Sequence, residues 1–148
     1  MNFRQCEECN QEYSTSWCQP CNSKHFKNYF EKWSSKNIDI DKILQQVQLN
    51  ADDSNKVMEW IPYNRLLVKK YINRGGFGTI YLANWLDGAI HYWDTDYEKW
   101  SRDTYQPVAL KILKNSSNLP FNLLKEEVSF TLFVLFLLYN YLTILLII

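Results

Sequence analysis

The sequence predicts an α+β fold: a small Cys-rich module and a helical linker, then an incomplete antiparallel sheet, then a long apolar C-terminal helix. Three observations carry that expectation. All four cysteines fall in two Cys-x2-Cys pairs, Cys6/Cys9 and Cys18/Cys21. Two β-prone runs flank the glycine-rich turn Gly75-Gly76-Phe77-Gly78, and a third apolar run follows from Val108 to Leu113. Val128 to Ile148 contains no charged residue. The corresponding segments are 1–25 for the module, 26–61 for the linker, 62–127 for the sheet and 128–148 for the tail.

Taking the elements in order, the two cysteine pairs are separated by eight residues. Met1 to Gln5 holds no apolar run, so no secretory signal is visible and a reducing, cytoplasmic setting is expected. In that setting paired thiolates read as a metal site. Two such knuckles surround one tetrahedral zinc ion, with Cys6, Cys9, Cys18 and Cys21 as ligands at about 2.3 Å. Each pair is followed by an asparagine, Asn10 and Asn22, suited to the left-handed turn after a knuckle. His25 is the alternative ligand, although a lone histidine at a helix start is more often a surface residue. A closed four-sulfur site leaves no position for water, so its role is structural and no hydrolytic chemistry follows.

Phe26, Tyr29, Phe30 and Trp33 recur at helical spacing, which predicts a helix within 23–35 with one aromatic face. A second set, Ile40, Ile43, Leu44 and Val47, follows the capping candidate Asp39 and fades near Asn50. Pro62 ends this region because it withholds a backbone donor and restricts the residue before it.

Leu66 to Ile72 and Thr79 to Ala83 then read as strands on either side of the glycines, forming a hairpin. Lys111 stands alone among the apolar residues of Val108 to Leu113. A lysine in a core strand costs desolvation unless it meets an anion or a carboxylate. Between the second and third strands, Asn84 to Gln106 is far longer than an ordinary hairpin connection and is rich in rings. Asp87-Gly88 marks a turn, and Ala89 to Trp93 with Tyr97 to Arg102 form an extra hairpin. Its rings are expected to pack on one another and on the exposed side of the sheet. His91 has no nearby nucleophile and takes no catalytic role.

Hairpin lid, apolar strand and lysine in that order resemble the N-lobe of a protein kinase. The resemblance places Gly75 and Gly78 at the second and third lid glycines, with Gly76 between them, and Asn73 where the first glycine usually stands. It implies that Ile72 and Ile80 press on an adenine, that Ala109 borders it, and that Lys111 holds the α and β phosphates of ATP. The lysine's partner in that family is a helix glutamate; Glu126 is the first choice and Glu127 the second. Neither a Walker loop nor a dinucleotide fingerprint fits, since no Gly-Lys-Ser/Thr follows Gly78 and a strand, not a helix, succeeds the glycines.

The same resemblance limits the chemistry. A whole kinase domain takes about 250 residues, and the 148 here hold at most part of one. The catalytic and metal-binding aspartates of that family follow the lysine, yet no aspartate occurs after Asp103 and no histidine after His91. No catalytic residue is therefore assigned, and ATP affinity is expected to be weak or vestigial. Sixteen acidic and sixteen basic residues balance, so no bulk field favours nucleic acid. A buried core segment is disfavoured for the tail because too little protein remains to cover it, and two other readings compete. Residues 128–148 are long enough for a transmembrane helix, which makes the chain a tail-anchored adaptor that binds proteins from the cytosolic side. Alternatively the chain is a truncated kinase-like protein whose tail replaces ordinary kinase sequence. A third reading gives it no function.

Overall fold

A computed structural model describes residues 4–13, 17–75, 78–113 and 143–147. They fold as two compact units, one of Met1–Trp60 with Ala89–Asp103 and the other of Ile61–Gly88 with Thr104–Ile148. The aromatic insertion thus belongs with the cysteine module and not with the sheet whose sequence it interrupts.

The first unit opens with a two-stranded ribbon, β1 (Arg4–Gln5) and β2 (Glu12–Tyr13), and continues into helix α1 (Gln19–Tyr29) and helix α2 (Ile38–Asn50). α1 starts earlier than the aromatic periodicity implies, because Cys18 takes the N-cap and Pro20 sits in the first turn. It also ends sooner: after Tyr29 the chain tightens, with Trp33 N donating to the carbonyls of Tyr29 and Phe30. α2 is capped by Asn37 and not by Asp39, since the Asn37 Oδ1 accepts from the backbone N–H of both Asp39 and Ile40. One side chain satisfies two of the helix's open donors.

Two strands from the insertion, β5 (Ile90–Asp94) and β6 (Lys99–Arg102), pair antiparallel and complete this unit's core. Trp17, Phe26, Ile90 and Trp100 are its buried centre, with Phe30, Trp33, Val57 and Trp93 packed around them. Phe26 stacks on Trp100 at 4.5 Å between centroids, and Trp17 stacks on the same ring at 5.8 Å. The expected packing of these rings on one another is present, with Trp93 5.1 Å from Trp100. A hairpin with Ile90 and Trp100 pointing inward finds its apolar partner in α1, where Phe26 is wholly buried. α1 and α2 are tied through the Leu49 carbonyl, which accepts from Gln19 Nε2 at 2.6 Å and from Ser23 Oγ at 2.7 Å. Trp17 Nε1 donates to the Ala51 carbonyl at 2.8 Å.

Glu59 fastens the hairpin. Its side chain is 8 % exposed, accepts from Arg102 Nη2 at 2.6 Å and meets the Ile90 N–H at 3.3 Å. Arg102 also lies 5.4 Å over the Trp33 ring.

In the second unit, Pro62 precedes a short 3-10 turn at Tyr63–Arg65 and the chain enters β3 (Leu66–Arg74). β3 pairs antiparallel with β4 (Gly78–Trp85), and β4 with β7 (Gln106–Leu113). Arg65 Nε donates to Asp87 Oδ2 at 2.8 Å, closing the end of this hairpin opposite the glycines. Gly88 has φ 69, a left-handed backbone that glycine adopts without a Cβ penalty, so Asp87-Gly88 is the turn its letters suggest. Val108, Leu110 and Ala83 are fully buried in the middle of the sheet.

The sheet order is β3-β4-β7-β8, with β8 (Thr143–Ile147) parallel to β7. The end of the tail is thus extended, not helical, as β-branched Thr143, Ile144 and Ile147 favour. Residues 114–142, which carry most of the expected apolar helix and both Glu126 and Glu127, lie outside the described residues. Among the described residues no helix is long and apolar enough to cross a membrane.

Two stability outcomes follow. Glu59→Ala removes the carboxylate paired with the Arg102 guanidinium and is expected to cost about 3 kcal/mol in urea unfolding, with Glu59→Gln costing less. Asn37→Ala removes a double cap and should cost about 1 kcal/mol, read in the same assay.

Candidate functional site

The ribbon and the start of α1 face their cysteines towards one point. After β1 the chain turns sharply: Cys6 N donates to the Gln11 carbonyl at 2.9 Å and Asn10 N to the Cys6 carbonyl at 2.8 Å. Asn10 holds φ 57, the left-handed position that closes the loop back into β2. Asn22 does not play the matching part. It is the fourth residue of α1, buried, with its N–H donating to the Cys18 carbonyl at 3.0 Å. The second pair is therefore positioned by a helix start, Cys18 as cap and Cys21 in the first turn.

All four Sγ atoms lie within 4.8 Å of one another. Two separations that run across the pairs are Cys6 to Cys21 at 3.7 Å and Cys9 to Cys18 at 3.6 Å. A disulfide needs about 2.05 Å, so these are free thiols. A tetrahedron of sulfurs at 2.3 Å from a central ion has edges of about 3.8 Å, which the two short separations nearly match. The residues fit a thiolate-bound metal ion, and the widest pair needs to close by at most about 1 Å.

The electrostatics show what holding such an ion requires. The backbone N–H of Gln11 draws the Cys9 thiol below its ordinary range, helped by the Cys21 thiol. Burial pushes the Cys18 and Cys21 thiols up, and in Cys21 the neighbouring Cys9 and Cys18 add to the rise. Without a cation, then, at least two of the four prefer to stay protonated; a divalent ion reverses that preference. No acidic residue occupies the first turn of α1, leaving its positive end to the thiolates.

His25 is not turned to the sulfurs. Its Nε2 lies 2.9 Å from both carboxylate oxygens of Glu8, which sits in the loop between Cys6 and Cys9. Its ring stacks on Trp93 at 3.8 Å and 12°. This pair buttresses the metal loop against the β5–β6 hairpin. The residues alone gave no sign of it, because the hairpin's docking joins positions far apart in the chain.

The residues matched to a kinase lid fall at one end of the sheet. Gly75 N donates to the Gly78 carbonyl at 2.9 Å, closing the β3–β4 turn. A Cβ at Gly75 would meet nothing within 4 Å. Asn73 needs no left-handed backbone; it lies in β3 opposite Ile80, and its Oδ1 accepts from Arg74 N at 2.8 Å. Ile80 is directly opposite Lys111, and Leu82 opposite Ala109, so these four side chains leave the sheet on one face. Ile72 falls at a register shift between Tyr71 and Asn73, has no Cα partner across the ladder and is 49 % exposed. The structure brings Ile80, Ala109 and Lys111 together and does not pair Ile72 with Ile80. Gly76 and Glu126 lie outside the described residues. His91 is exposed and 4.0 Å from Asp103.

No protein-family model matches the chain, and no curated protein or solved structure is significantly similar to it.

A metal ion held by the four cysteines would be linked to proton release. Thiols that start protonated must release their protons to bind the ion, so uptake of one zinc per chain should liberate protons and weaken as pH falls. Calorimetric titration in buffers of different ionisation enthalpy measures both. Cys21→Ser should abolish stoichiometric zinc by elemental analysis and loosen the Trp17/Trp100 core, seen as lost near-ultraviolet dichroism.

Proposed function

We propose that this chain is a kinase-like protein: a zinc-held module joined to part of an ATP-contacting lobe, without phosphoryl-transfer chemistry among its 148 residues. The observation that supports the nucleotide reading is the register of β4 and β7, in which Ile80 and Lys111 oppose one another beside the Gly75–Gly78 turn. On that reading Ile80 and Ala109 offer an apolar surface to a flat base, and the Lys111 ammonium supplies a point charge for two phosphates. Phosphate recognition and phosphate transfer are separable. Transfer needs a base and magnesium-binding carboxylates beyond the lysine, and this chain has no aspartate there.

The clustering of four cysteine sulfurs within 4.8 Å supports the module's share of this reading. Four sulfurs close the coordination sphere, so the ion's work is to hold the ribbon to α1, a folding role.

Titration of the full chain with a fluorescent N-methylanthraniloyl ATP analogue tests the nucleotide site. Weak saturable binding is expected, reduced about tenfold or more by Lys111→Ala, with no phosphate released on incubation with magnesium and ATP. Unchanged titration curves for Lys111→Ala would remove the nucleotide from the proposal and leave the metal module standing.

A further inference from the structure

Beside the cysteine cluster, the first unit carries a groove of about 440 Å³ bounded by the metal loop on one side and by residues 91–96 on the other. Its charge is one-sided. Glu7, Glu8, Asp94 and Asp96 line it against a single arginine, Arg4. Two of those carboxylates are engaged: Glu8 by His25, and Asp94 by the backbone N–H groups of Asp96 and Tyr97. Glu7 and Asp96 have no bonded side-chain partner among the described residues and are exposed. Cys6 and Cys18 border the same groove, and four thiolates around a divalent ion leave a formal charge of about −2. The chain as a whole is neutral, so this negative potential is local.

Carboxylates on a surface are ordinary, and by themselves they mark nothing. Asn22 is the second, independent observation. It lines the groove, is only 6 % exposed, and its side-chain amide has no hydrogen-bond partner among the described residues. An asparagine amide offers one carbonyl and one NH2, the complement of a peptide group's N–H and C=O. Tyr13 and Tyr92 also line the groove, and aromatic rings attract cations.

The geometry points to a recognition groove for an extended peptide segment bearing a lysine or arginine, held by the Asn22 amide and by the carboxylates of Glu7 and Asp96. The peptide backbone pairs with Asn22 while the cationic side chain reaches the two carboxylates. This goes beyond the nucleotide reading and draws on the metal centre only for the added negative charge.

Fluorescence anisotropy with the full chain tests it, using fluorescein-labelled Ser-Ser-Ser-Lys-Ser-Ser-Ser and its glutamate counterpart as probes, with zinc content measured on the same sample. The lysine peptide should bind about tenfold more tightly or better, and Glu7→Gln, Asp96→Asn and Asn22→Ala should each weaken it roughly threefold to tenfold. Glu31→Gln, an exposed acidic position outside the groove, should leave binding unchanged. Because Asn22→Ala alters a buried position, the unsubstituted chain provides a second readout: the Asn22 side-chain NH2 resonances should shift as the lysine peptide is added. Equal affinity for the two probes, equal weakening by Glu31→Gln, or stationary Asn22 resonances would overturn the groove at any zinc content. A zinc-free chain that keeps its lysine preference would instead overturn the metal centre and leave the groove in place.

Discussion

Mutual repulsion among four sulfurs is the constraint on which the first unit depends. Two thiolates at 3.6 Å would repel one another, and all four sulfurs lie within 4.8 Å. Protonation relieves this, and burial of Cys18 and Cys21 favours it. A divalent cation relieves it more completely and converts the same crowding into a cross-link between the β1–β2 ribbon and α1. The rest of the unit is arranged around that joint. Trp17 immediately precedes Cys18, Asn22 follows Cys21, and Phe26 lies one turn further along the helix, so the ligand positions and the aromatic core share one stretch of backbone.

The sheet unit depends on a different rule. In an antiparallel ladder, opposed residues point the same way, and a single register therefore decides whether Ile80, Ala109 and Lys111 can act on one ligand. That register is pinned by continuous pairing of β4 with β7 from Gly78 to Trp85. β3 is less regular, with shifts on either side of Lys70 and Tyr71, and it is there that Ile72 departs from the pattern its neighbours follow.

What could be read from the letters was mostly local. Cys-x2-Cys spacing, the Asp87-Gly88 turn and the alternation of the three principal strands are each decided within a few residues. The α1 boundary shifted because a cysteine cap and Pro20 act before the aromatic periodicity begins, and the α2 cap moved to Asn37 because its shorter path reaches two amides. The insertion was legible as a hairpin but not as part of the module. Packing of Trp100 against Phe26 and Trp17 joins residues more than seventy positions apart, and nothing in the intervening sequence encodes that partnership. Likewise the Glu8–His25–Trp93 stack needed the third dimension, whereas the four sulfurs announced themselves by spacing alone.

Residues 89–103 lie within the sheet's sequence yet belong to the module's core, and this sets an order of events during synthesis. Trp17 and Phe26 leave the ribosome well before Ile90 and Trp100, so the nascent module carries bare aromatic surface until all of β3 and β4 has also emerged. The four cysteines that could hold a metal ion all lie within the first twenty-one residues and emerge far earlier. An ion bound there would have time to fix the ribbon and helix start before the core closes over them. By the same token, a fragment cut at Trp60 would keep every sulfur ligand while lacking two of the four buried residues at the centre of its core.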